Sequence, residues 1–244
     1  MSDDSHSSDR LSAAWEAEAE AWVAWARKPG HDSYWTFHRD IFRQLLPPPS
    51  GKALDVGCGE GRLPRDLKSW GYDLVGIDVS PTLIRYAREA DPGGDYRVAD
   101  GAALPFADDT FSLVTAFMSL QDIDDCDRAI AEMSRVLGSG GVLCIAIVHP
   151  MASAGEFESR SPDSPFAIKG SYLEPRRVGG RPYERGGMSM TFHSQHRALE
   201  VYFAALTAAG LMVDRLIEVP DATHVPGGRW QRIPNFLQLR AVKA

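Results

Sequence analysis

A glycine-rich segment with two carboxylates carries the clearest chemistry in this sequence. Residues 54–62 place glycines at 57, 59 and 61 and acidic side chains at Asp55 and Glu60. Glycines permit a tight turn and let a ligand approach the backbone closely. Carboxylates repel a pyrophosphate, whereas they suit a ligand that carries an ammonium or sulfonium group. The segment therefore predicts a binding loop for a nucleoside-like ligand with positive charge.

Two common nucleotide loops do not fit this segment. The dinucleotide fingerprint requires a glycine at position 62, where the sequence has Arg62. The phosphate-binding loop that ends in Gly-Lys-Ser/Thr is absent from the chain. A nicotinamide-dependent oxidoreductase is therefore disfavoured.

Short apolar runs on both sides of the loop predict the elements that position it. Such runs are typical of buried parallel strands, and they alternate with helical segments, so an α/β fold with helices on both faces of the sheet is expected. Ser80-Pro81 is a typical helix start, and Gly71 and Gly138 are plausible helix stops. The predicted strands cover residues 53–56, 74–77, 96–99, 111–118 and 142–148.

The flanking regions predict a helical start and an interrupted end. An amphipathic helix is predicted over residues 9–28, and a second one carries Phe37, Ile41 and Leu45 up to three prolines. Residues 151–195 are rich in Ser, Pro, Gly and Arg and predict an irregular insertion, in which Arg176, Arg177, Arg181 and Arg185 form a solvated loop. A helix over 196–209 and strands over 212–219 and 236–242 complete the predicted sheet.

Further motifs follow the glycine loop in order, and together they resemble the class I S-adenosylmethionine-dependent methyltransferases. Asp55-x-Gly57-x-Gly59-x-Gly61 is similar to the first signature of that family, and Asp78 follows 17 residues beyond Gly61, where the family holds the ribose hydroxyls. Asp100-Gly101 resembles the turn that contacts adenine, and residues 135–141 resemble the approach to the fifth strand.

The resemblance implies both a fold and a cofactor. The fold is doubly wound and Rossmann-like, with a mostly parallel seven-stranded sheet whose last strand is antiparallel. Residues 1–50 are expected to form an N-terminal helical cap, and residues 51–244 the methyltransferase domain, with the insertion at 151–195 on the substrate side. The residues expected to bind S-adenosylmethionine are Asp55, Gly57, Cys58, Gly59, Gly61, Asp78, Val79, Asp100, Gly101 and Met118.

A methyl acceptor with a hydroxyl group benefits from a general base, and histidine is the usual choice near neutral pH. His149 follows the fifth predicted strand directly, and His196 ends the insertion, so both are predicted as catalytic residues. Gln121, His193 and Tyr34 are predicted to contact the acceptor. We further expect His31 and Tyr34 near the methionine end of the cofactor. Many relatives have a histidine where this chain has Gln121, which leaves open whether a base is used there.

Composition limits the partners. A net charge of −7 disfavours a nucleic-acid substrate, because phosphate backbones favour clustered Lys and Arg. Three cysteines without a paired motif predict neither a disulfide framework nor a zinc site, and no metal is expected. Without an apolar stretch of about 20 residues, we expect a cytoplasmic protein that is a monomer or homodimer and has no membrane contact.

The sequence thus predicts methyl transfer to oxygen or nitrogen of a small molecule. Methylation of carbon or of a macromolecule, and a non-catalytic module that binds S-adenosylmethionine, remain open.

Overall fold

The computed structural model describes residues 10–220 and 228–244. Helix α1 (Leu11–Arg27) opens the described chain and confirms the first predicted helix, whose residue 9 lies outside the described residues. The second predicted helix is a π-helical turn, Tyr34–His38, that continues into α2 (Arg39–Arg43). The chain leaves α2 through Pro47, Pro48 and Pro49 and reaches the sheet at Lys52.

The central part of the chain alternates strands and helices as predicted. Its elements are β1 (Lys52–Val56), α3 (Arg62–Ser69), β2 (Asp73–Asp78), α4 (Pro81–Ala90), β3 (Asp95–Val98), β4 (Phe111–Phe117), α5 (Cys126–Val136) and β5 (Leu137–Val148). The C-terminal part contains α6 (Pro150–Ala154), β6 (Gly155–Phe157), β7 (Phe166–Ile168), β8 (Arg176–Arg185), β9 (Met188–His196), α7 (Leu199–Ala208), β10 (Leu211–Val219) and β11 (Phe236–Lys243).

The seven-stranded sheet has the order β10-β11-β5-β4-β1-β2-β3. Strands β1 to β5 pair in parallel, whereas β11 lies antiparallel between β5 and β10. The sheet is therefore mostly parallel with an antiparallel last strand, which confirms the predicted fold class. Strand order changes direction at β1, between β4 and β2, and in open α/β sheets such a switch point leaves a crevice at the carboxyl ends of the strands.

Helices cover both faces of the sheet and hold its strand ends in place. On one face, Ile130 and Met133 of α5 are fully buried in a cluster with Leu54 and Val114. On the other face, Leu67 of α3 joins a second cluster of buried residues. Burying one such side chain contributes about 1.5–3 kcal/mol, so these two layers fix the geometry of the crevice.

The predicted helix boundaries are confirmed in two cases and wrong in one. The Ser80 hydroxyl accepts a hydrogen bond from the Leu83 amide at 3.0 Å and caps α4, with Pro81 at its first position. Helix α3 ends two residues before Gly71, whose φ is +97°. Gly138 is not a helix stop, because α5 ends at Val136 and β5 begins at the next residue.

The insertion is the main departure from the predicted fold. Residues predicted to be irregular form two small antiparallel hairpins, β6 with β7 and β8 with β9. All four arginines of the predicted solvated loop lie on β8. Most of β8 is exposed, and its main-chain pairing with β9 defines it as a strand. Its sequence therefore shows no alternation of apolar and polar residues from which a strand could be predicted.

None of the helices among the described residues combines the length and apolarity that crossing a bilayer requires.

Candidate functional site

The glycine loop connects β1 to α3 with three residues in the left-handed region. Gly57, Gly59 and Gly61 have φ values of +74°, +57° and +82°. The amides of Gly57 and Cys58 both donate to the Ile77 carbonyl at 2.8 Å, which ties the loop to the end of β2. A Cβ atom on Gly57 would lie 2.3 Å from Ser119 Cβ, so this position requires glycine for space as well as for its φ.

Asp78 links the loop to the end of β2. One carboxylate oxygen accepts from the Gly59 amide and the other from the Ser80 amide, each at 2.9 Å. Burial raises the pKa of this carboxyl, and the hydrogen bonds from the Ser80 and Gly59 amides oppose that shift. Asp78 is thus fixed in one orientation beside the loop.

Asp55 lies at the start of the same loop and is almost fully buried. Burial raises its pKa from 3.8 to about 7, although the Thr115 hydroxyl donates to Asp55 Oδ1 at 2.6 Å. The nearby charge of Asp78 raises this pKa further. A cationic group bound between the two carboxyls would relieve their repulsion.

A cavity of about 710 Å³ extends from this loop along the carboxyl ends of β1, β2 and β4. Gly61 does not line it, because this residue caps α3 and a Cβ atom there would lie 3.0 Å from Ala87 Cβ. Gly101 lines it close to Val56: a Cβ atom there would approach Val56 Cγ1 to 2.9 Å. The predicted cofactor residues that line the cavity are Asp55, Gly57, Cys58, Gly59, Asp78, Val79, Asp100, Gly101 and Met118.

Helix α1 forms one wall of the cavity through Trp15 and Trp22. Their rings meet edge to face with centroids 5.9 Å apart. A Cβ atom on Gly59 would be 3.7 Å from Trp22 Nε1, so the indole stands over the glycine loop. The guanidinium of Arg62 lies 5.1 Å from the Trp22 ring centre and also lines the cavity. Helix α1 therefore places an indole ring directly over the glycine loop.

The predicted catalytic histidines do not line the cavity. His149 lies on the N-terminal side of α6, where Nδ1 accepts from the Met151 amide at 3.0 Å and Nε2 lies 3.2 Å from Glu218 Oε1. His196 is fully buried, with its ring nitrogens 2.7 Å from Ser153 Oγ and 2.8 Å from the Tyr172 carbonyl. Burial lowers the pKa of both imidazoles. Their contacts are structural, and we assign neither of them a role as base.

Two other predicted contacts are also displaced from the cavity. Phe192 and Ser194 line it, so His193 between them faces the other side of β9, as strand alternation requires. Tyr34 is fully buried and donates to Asp66 Oδ2 at 2.7 Å. The expected approach of Tyr34 to the cofactor is therefore wrong.

His31 is likewise occupied elsewhere. Its Nε2 lies 3.0 Å from the Arg185 carbonyl, and its ring packs on Trp25 at a centroid distance of 4.9 Å. These contacts join the segment after α1 to the tip of the β8–β9 hairpin, outside the cavity lining. The expected approach of His31 to the cofactor is therefore also wrong.

Gln121 lines the cavity as predicted, and Asp122 lies beside it just after β4. The Gln121 side-chain amide donates to the Met118 carbonyl at 2.8 Å and to Asp122 Oδ2 at 3.3 Å. Met118 has a φ of +54°, which is uncommon for a non-glycine residue and turns the chain sharply at this point. The turn presents the Gln121–Asp122 pair to the cavity.

A smaller cavity of about 190 Å³ adjoins the first one. The two share Gln121, Val148, Phe192 and Ser194 as lining residues. Its other walls come from α6, the β8–β9 hairpin and α7, and they are largely apolar. The insertion therefore contributes walls to this second cavity.

Sequence analysis missed Arg62, Phe192 and Ser194 as lining residues. Arg62 follows the glycine triplet directly and was noted only because it breaks another motif. Had β9 been recognised as a strand, its two-residue period would have placed Phe192 and Ser194 on one face and His193 on the other. Among the described residues, no group of three or more side chains could hold a metal ion.

The sequence is similar to known methyltransferases over its central part. Residues 54–145 match a family described as "Methyltransferase domain". The chain is 35% identical over 103 residues to demethylmenaquinone methyltransferase of Renibacterium salmoninarum, covering 42% of this chain and 44% of that protein. It is 33% identical over 103 residues to malonyl-[acyl-carrier protein] O-methyltransferase of Pectobacterium atrosepticum, covering 42% and 41%. The matched segment thus spans less than half the length of either relative.

The fold extends the similarity to most of the chain. An S-adenosylmethionine-dependent methyltransferase from Mesorhizobium loti superposes with a TM-score of 0.69 at 24% identity, covering 87% of this chain and 98% of that one. At this identity the likeness shows a shared fold. Residues 54–145 thus match a methyltransferase domain, and the chain shares the fold of S-adenosylmethionine-dependent methyltransferases.

Proposed function

We propose that this chain transfers the methyl group of S-adenosylmethionine to an oxygen or nitrogen atom of a small molecule. The observation that carries the proposal is the large cavity, which begins at the glycine loop and Asp78 and ends at the Gln121–Asp122 pair. Cofactor residues occupy one end and polar side chains the other. Such an arrangement suits a reaction in which a cofactor and an acceptor meet within one enclosed space.

The charges at the cofactor end favour this cofactor over a dinucleotide. Asp55 and Asp78 both line the cavity beside the glycine loop, where a dinucleotide would place its pyrophosphate. Two carboxyls at that point disfavour a pyrophosphate and favour the ammonium group of a methionine moiety. Two amides anchor Asp78 at the end of β2, and from this position its carboxylate would hold the ribose hydroxyls.

The residues of the chain mainly orient the reactants. When bound, S-adenosylmethionine supplies a methyl group that its sulfonium already activates. Trp15 and Trp22 of α1 and Phe192 of β9 exclude water from the space above the loop. Holding an acceptor in line within this space accounts for most of the required catalysis.

The lining of the acceptor end of the cavity favours a small-molecule acceptor with a substantial apolar part. The adjoining cavity of about 190 Å³ is too small for a polymer chain and is mostly apolar. Its walls at Phe192, Ser194 and Tyr202 lie beyond residues 54–145, where the family match ends. The acceptors named for the relatives, demethylmenaquinone and malonyl-[acyl-carrier protein], therefore do not transfer to this chain by similarity alone.

The cellular compartment and the partners that we propose for the protein follow from its charge and its cysteines. A net charge of −7 supports the absence of a nucleic-acid partner. Cys58, Cys126 and Cys144 are unpaired and buried, which fits the reducing cytoplasm. We retain a monomer or a homodimer as the expected state.

Calorimetric titration with S-adenosylmethionine, S-adenosylhomocysteine and the nicotinamide dinucleotide tests the cofactor. We expect binding of the first two only. Asp78→Ala removes the acceptor of two amide hydrogen bonds and should weaken affinity at least about tenfold, or 1.4 kcal/mol. Asp73→Ala, at the exposed start of the same strand, is the matched control and should bind normally. No binding by the folded wild type would reject the proposal.

A second measurement tests the acceptor class. The protein is incubated with methyl-labelled S-adenosylmethionine and either a small-molecule extract or a macromolecular fraction. Label in small molecules, released by mild hydrolysis or identified as N-methyl, supports the proposal. Label in the macromolecular fraction or on carbon would select a different methyltransferase. Tight cofactor binding without transfer to either fraction would instead select a non-catalytic binding module.

A further inference from the structure

Asp122 lies at the acceptor end of the cavity as a partly exposed residue whose Oδ1 atom is buried. It follows β4 within a short turn, Leu120–Asp122, and lines the large cavity. Its neighbour Gln121 lines both cavities. The pair therefore stands where an acceptor in the smaller cavity would approach the cofactor in the larger one.

The hydrogen bonding of this pair is incomplete. Asp122 Oδ2 accepts a long hydrogen bond from Gln121 Nε2, at 3.3 Å, and the Ser194 hydroxyl also lies close to the carboxyl. Asp122 Oδ1 and Gln121 Oε1 are buried and have no geometrically satisfactory hydrogen-bond donor among the described residues. A buried acceptor atom without a partner costs about 1–3 kcal/mol, so such atoms call for an explanation. A ligand that brings an O–H or N–H donor would supply one.

Burial and the neighbouring groups act in opposite directions on the pKa of Asp122. Burial raises its pKa well above the usual range for Asp. The Ser194 hydroxyl, the Gln121 amide and the charge of Arg197 oppose this shift, whereas Asp78 adds to it. Tyr202 of α7 also faces the carboxyl. A carboxylate with a raised pKa is a stronger proton acceptor than that of an exposed aspartate.

Arg197 and Gln121 anchor the main chain around Asp122. Arg197 Nη2 donates to the carbonyls of Ile123 and Asp124 at 2.6 and 3.0 Å, directly after Asp122 in the chain. Gln121 is held by the Met118 carbonyl. The main chain on both sides of Asp122 is therefore anchored, and the side chain keeps its place at the cavity wall.

We propose that Asp122 is the general base of the methyl transfer, oriented by Gln121, and that it accepts the proton of a hydroxyl or amine on an acceptor whose apolar part occupies the smaller cavity. This inference rests on the proposed function. As the acceptor oxygen or nitrogen forms its bond to the methyl carbon, the methyl–sulfur bond breaks and its electron pair stays on sulfur. The O–H or N–H bond breaks at the same centre, and its proton passes to the Asp122 carboxylate.

The proposal predicts a proton linkage that needs no known acceptor. A sulfonium near Asp122 lowers the pKa of this carboxyl, whereas the neutral thioether of S-adenosylhomocysteine does not. Calorimetry in two buffers of different ionisation enthalpy measures the protons released on binding. For the wild type near neutral pH, we expect more protons released with S-adenosylmethionine than with S-adenosylhomocysteine. Groups that face the parts common to both ligands, such as Asp55 and Asp78, contribute equally to the two proton releases. Their contributions therefore cancel in the difference.

Asp122→Asn should remove this difference and reduce the preference for S-adenosylmethionine over S-adenosylhomocysteine about tenfold. It should leave the affinity for S-adenosylhomocysteine unchanged, which also shows that the variant is folded. Asp127→Asn is the matched control, because this exposed aspartate lies five residues later on α5 and outside the cavity. Its proton release should equal that of the wild type.

Each result separates the two proposals. If the wild type binds neither ligand, the proposed function fails. If it binds both with equal proton release, or if Asp122→Asn keeps the difference, the assignment of Asp122 is overturned while the proposed function stands. Where the labelling assay yields an acceptor, Asp122→Asn should lower kcat at least about 100-fold with little change in KM.

Discussion

At the scale of single residues, residue type predicts the glycine loop and the positions of its carboxyls. It does not predict the direction in which a side chain points. Gly57 and Gly59 have a left-handed φ and Asp78 accepts from the Gly59 amide, in the places that the glycine spacing and the family resemblance predicted. His149 was predicted at the correct rim of the sheet. Its ring nevertheless accepts a hydrogen bond from the Met151 amide. The first N–H groups of a helix have no partner within the helix, and the ring nitrogen of His149 supplies an acceptor for one of them. Sequence position gives the rim, whereas local hydrogen bonding decides where the ring points.

Asp55 makes the stability of the protein depend on pH. Its pKa is 3.8 in an unfolded chain and about 7 when buried. Between these values the unfolded chain has lost the proton and the folded one retains it, so stability falls as pH rises from about 4 to about 7 and is constant above. Asp55→Asn keeps an oxygen for the Thr115 hydroxyl and removes the ionisation. The variant should gain a few kcal/mol relative to the wild type across this range.

Urea unfolding of both proteins at several pH values measures this gain. Asp73→Asn, at the exposed start of β2, should follow the wild-type curve at every pH. A stability difference between Asp55→Asn and the wild type that is the same at pH 4 and pH 8 would show that Asp55 ionises alike in both states.

At the scale of elements, the sequence predicted those that burial shapes and missed those that main-chain pairing shapes. Strands β1, β4 and β5 are buried runs, and their apolar residues reveal them. Strand β8 is mostly exposed, and only its ladder with β9 defines it. The acceptor end of the cavity depends on this hairpin. For that reason most of the predicted cofactor residues line the cavity, whereas Gln121 is the one predicted acceptor or catalytic residue that does.

Glu16 anchors helix α1 to the start of α4. Its carboxylate accepts from the hydroxyls of Ser80 and Thr82, the latter at 2.6 Å, at the start of α4. Hydrogen bonds to a charged group contribute about 1.5–3 kcal/mol each. We expect Glu16→Ala to speed amide hydrogen exchange throughout α1 and to weaken S-adenosylmethionine binding about tenfold or more. Exchange in β1 and β4 should remain slow.

Glu89→Ala is the matched control for this element. Glu89 lies on α4 and forms an exposed ion pair with Arg85 four residues away, at 3.0 Å. Such pairs contribute about 0.3–0.5 kcal/mol, so exchange in α1 and cofactor affinity should stay as in the wild type. Equal effects of the two substitutions would mean that Glu16 does not anchor α1.

At the scale of the whole molecule, the large cavity is the place where distant parts of the chain meet. Its walls come from α1, from the loops after β1, β2 and β4, and from β9 of the insertion. Trp15 Nε1 donates to the His193 carbonyl at 2.9 Å and joins the first wall to the last. A ligand in this space contacts all of them at once, so its binding energy should stabilise the cap, the sheet and the hairpin together.

This arrangement predicts how the cofactor changes thermal unfolding. A ligand at 100 times its Kd adds about 2.7 kcal/mol, which for a chain of this size raises Tm on the order of 5–10 °C. S-adenosylhomocysteine should give this shift in the wild type and a clearly smaller one in Asp78→Ala at the same concentration. Hydrogen exchange should slow in α1, the glycine loop and β9 alike. Protection confined to the glycine loop would contradict the joint wall, because only a ligand that spans the cavity couples elements so far apart in the chain.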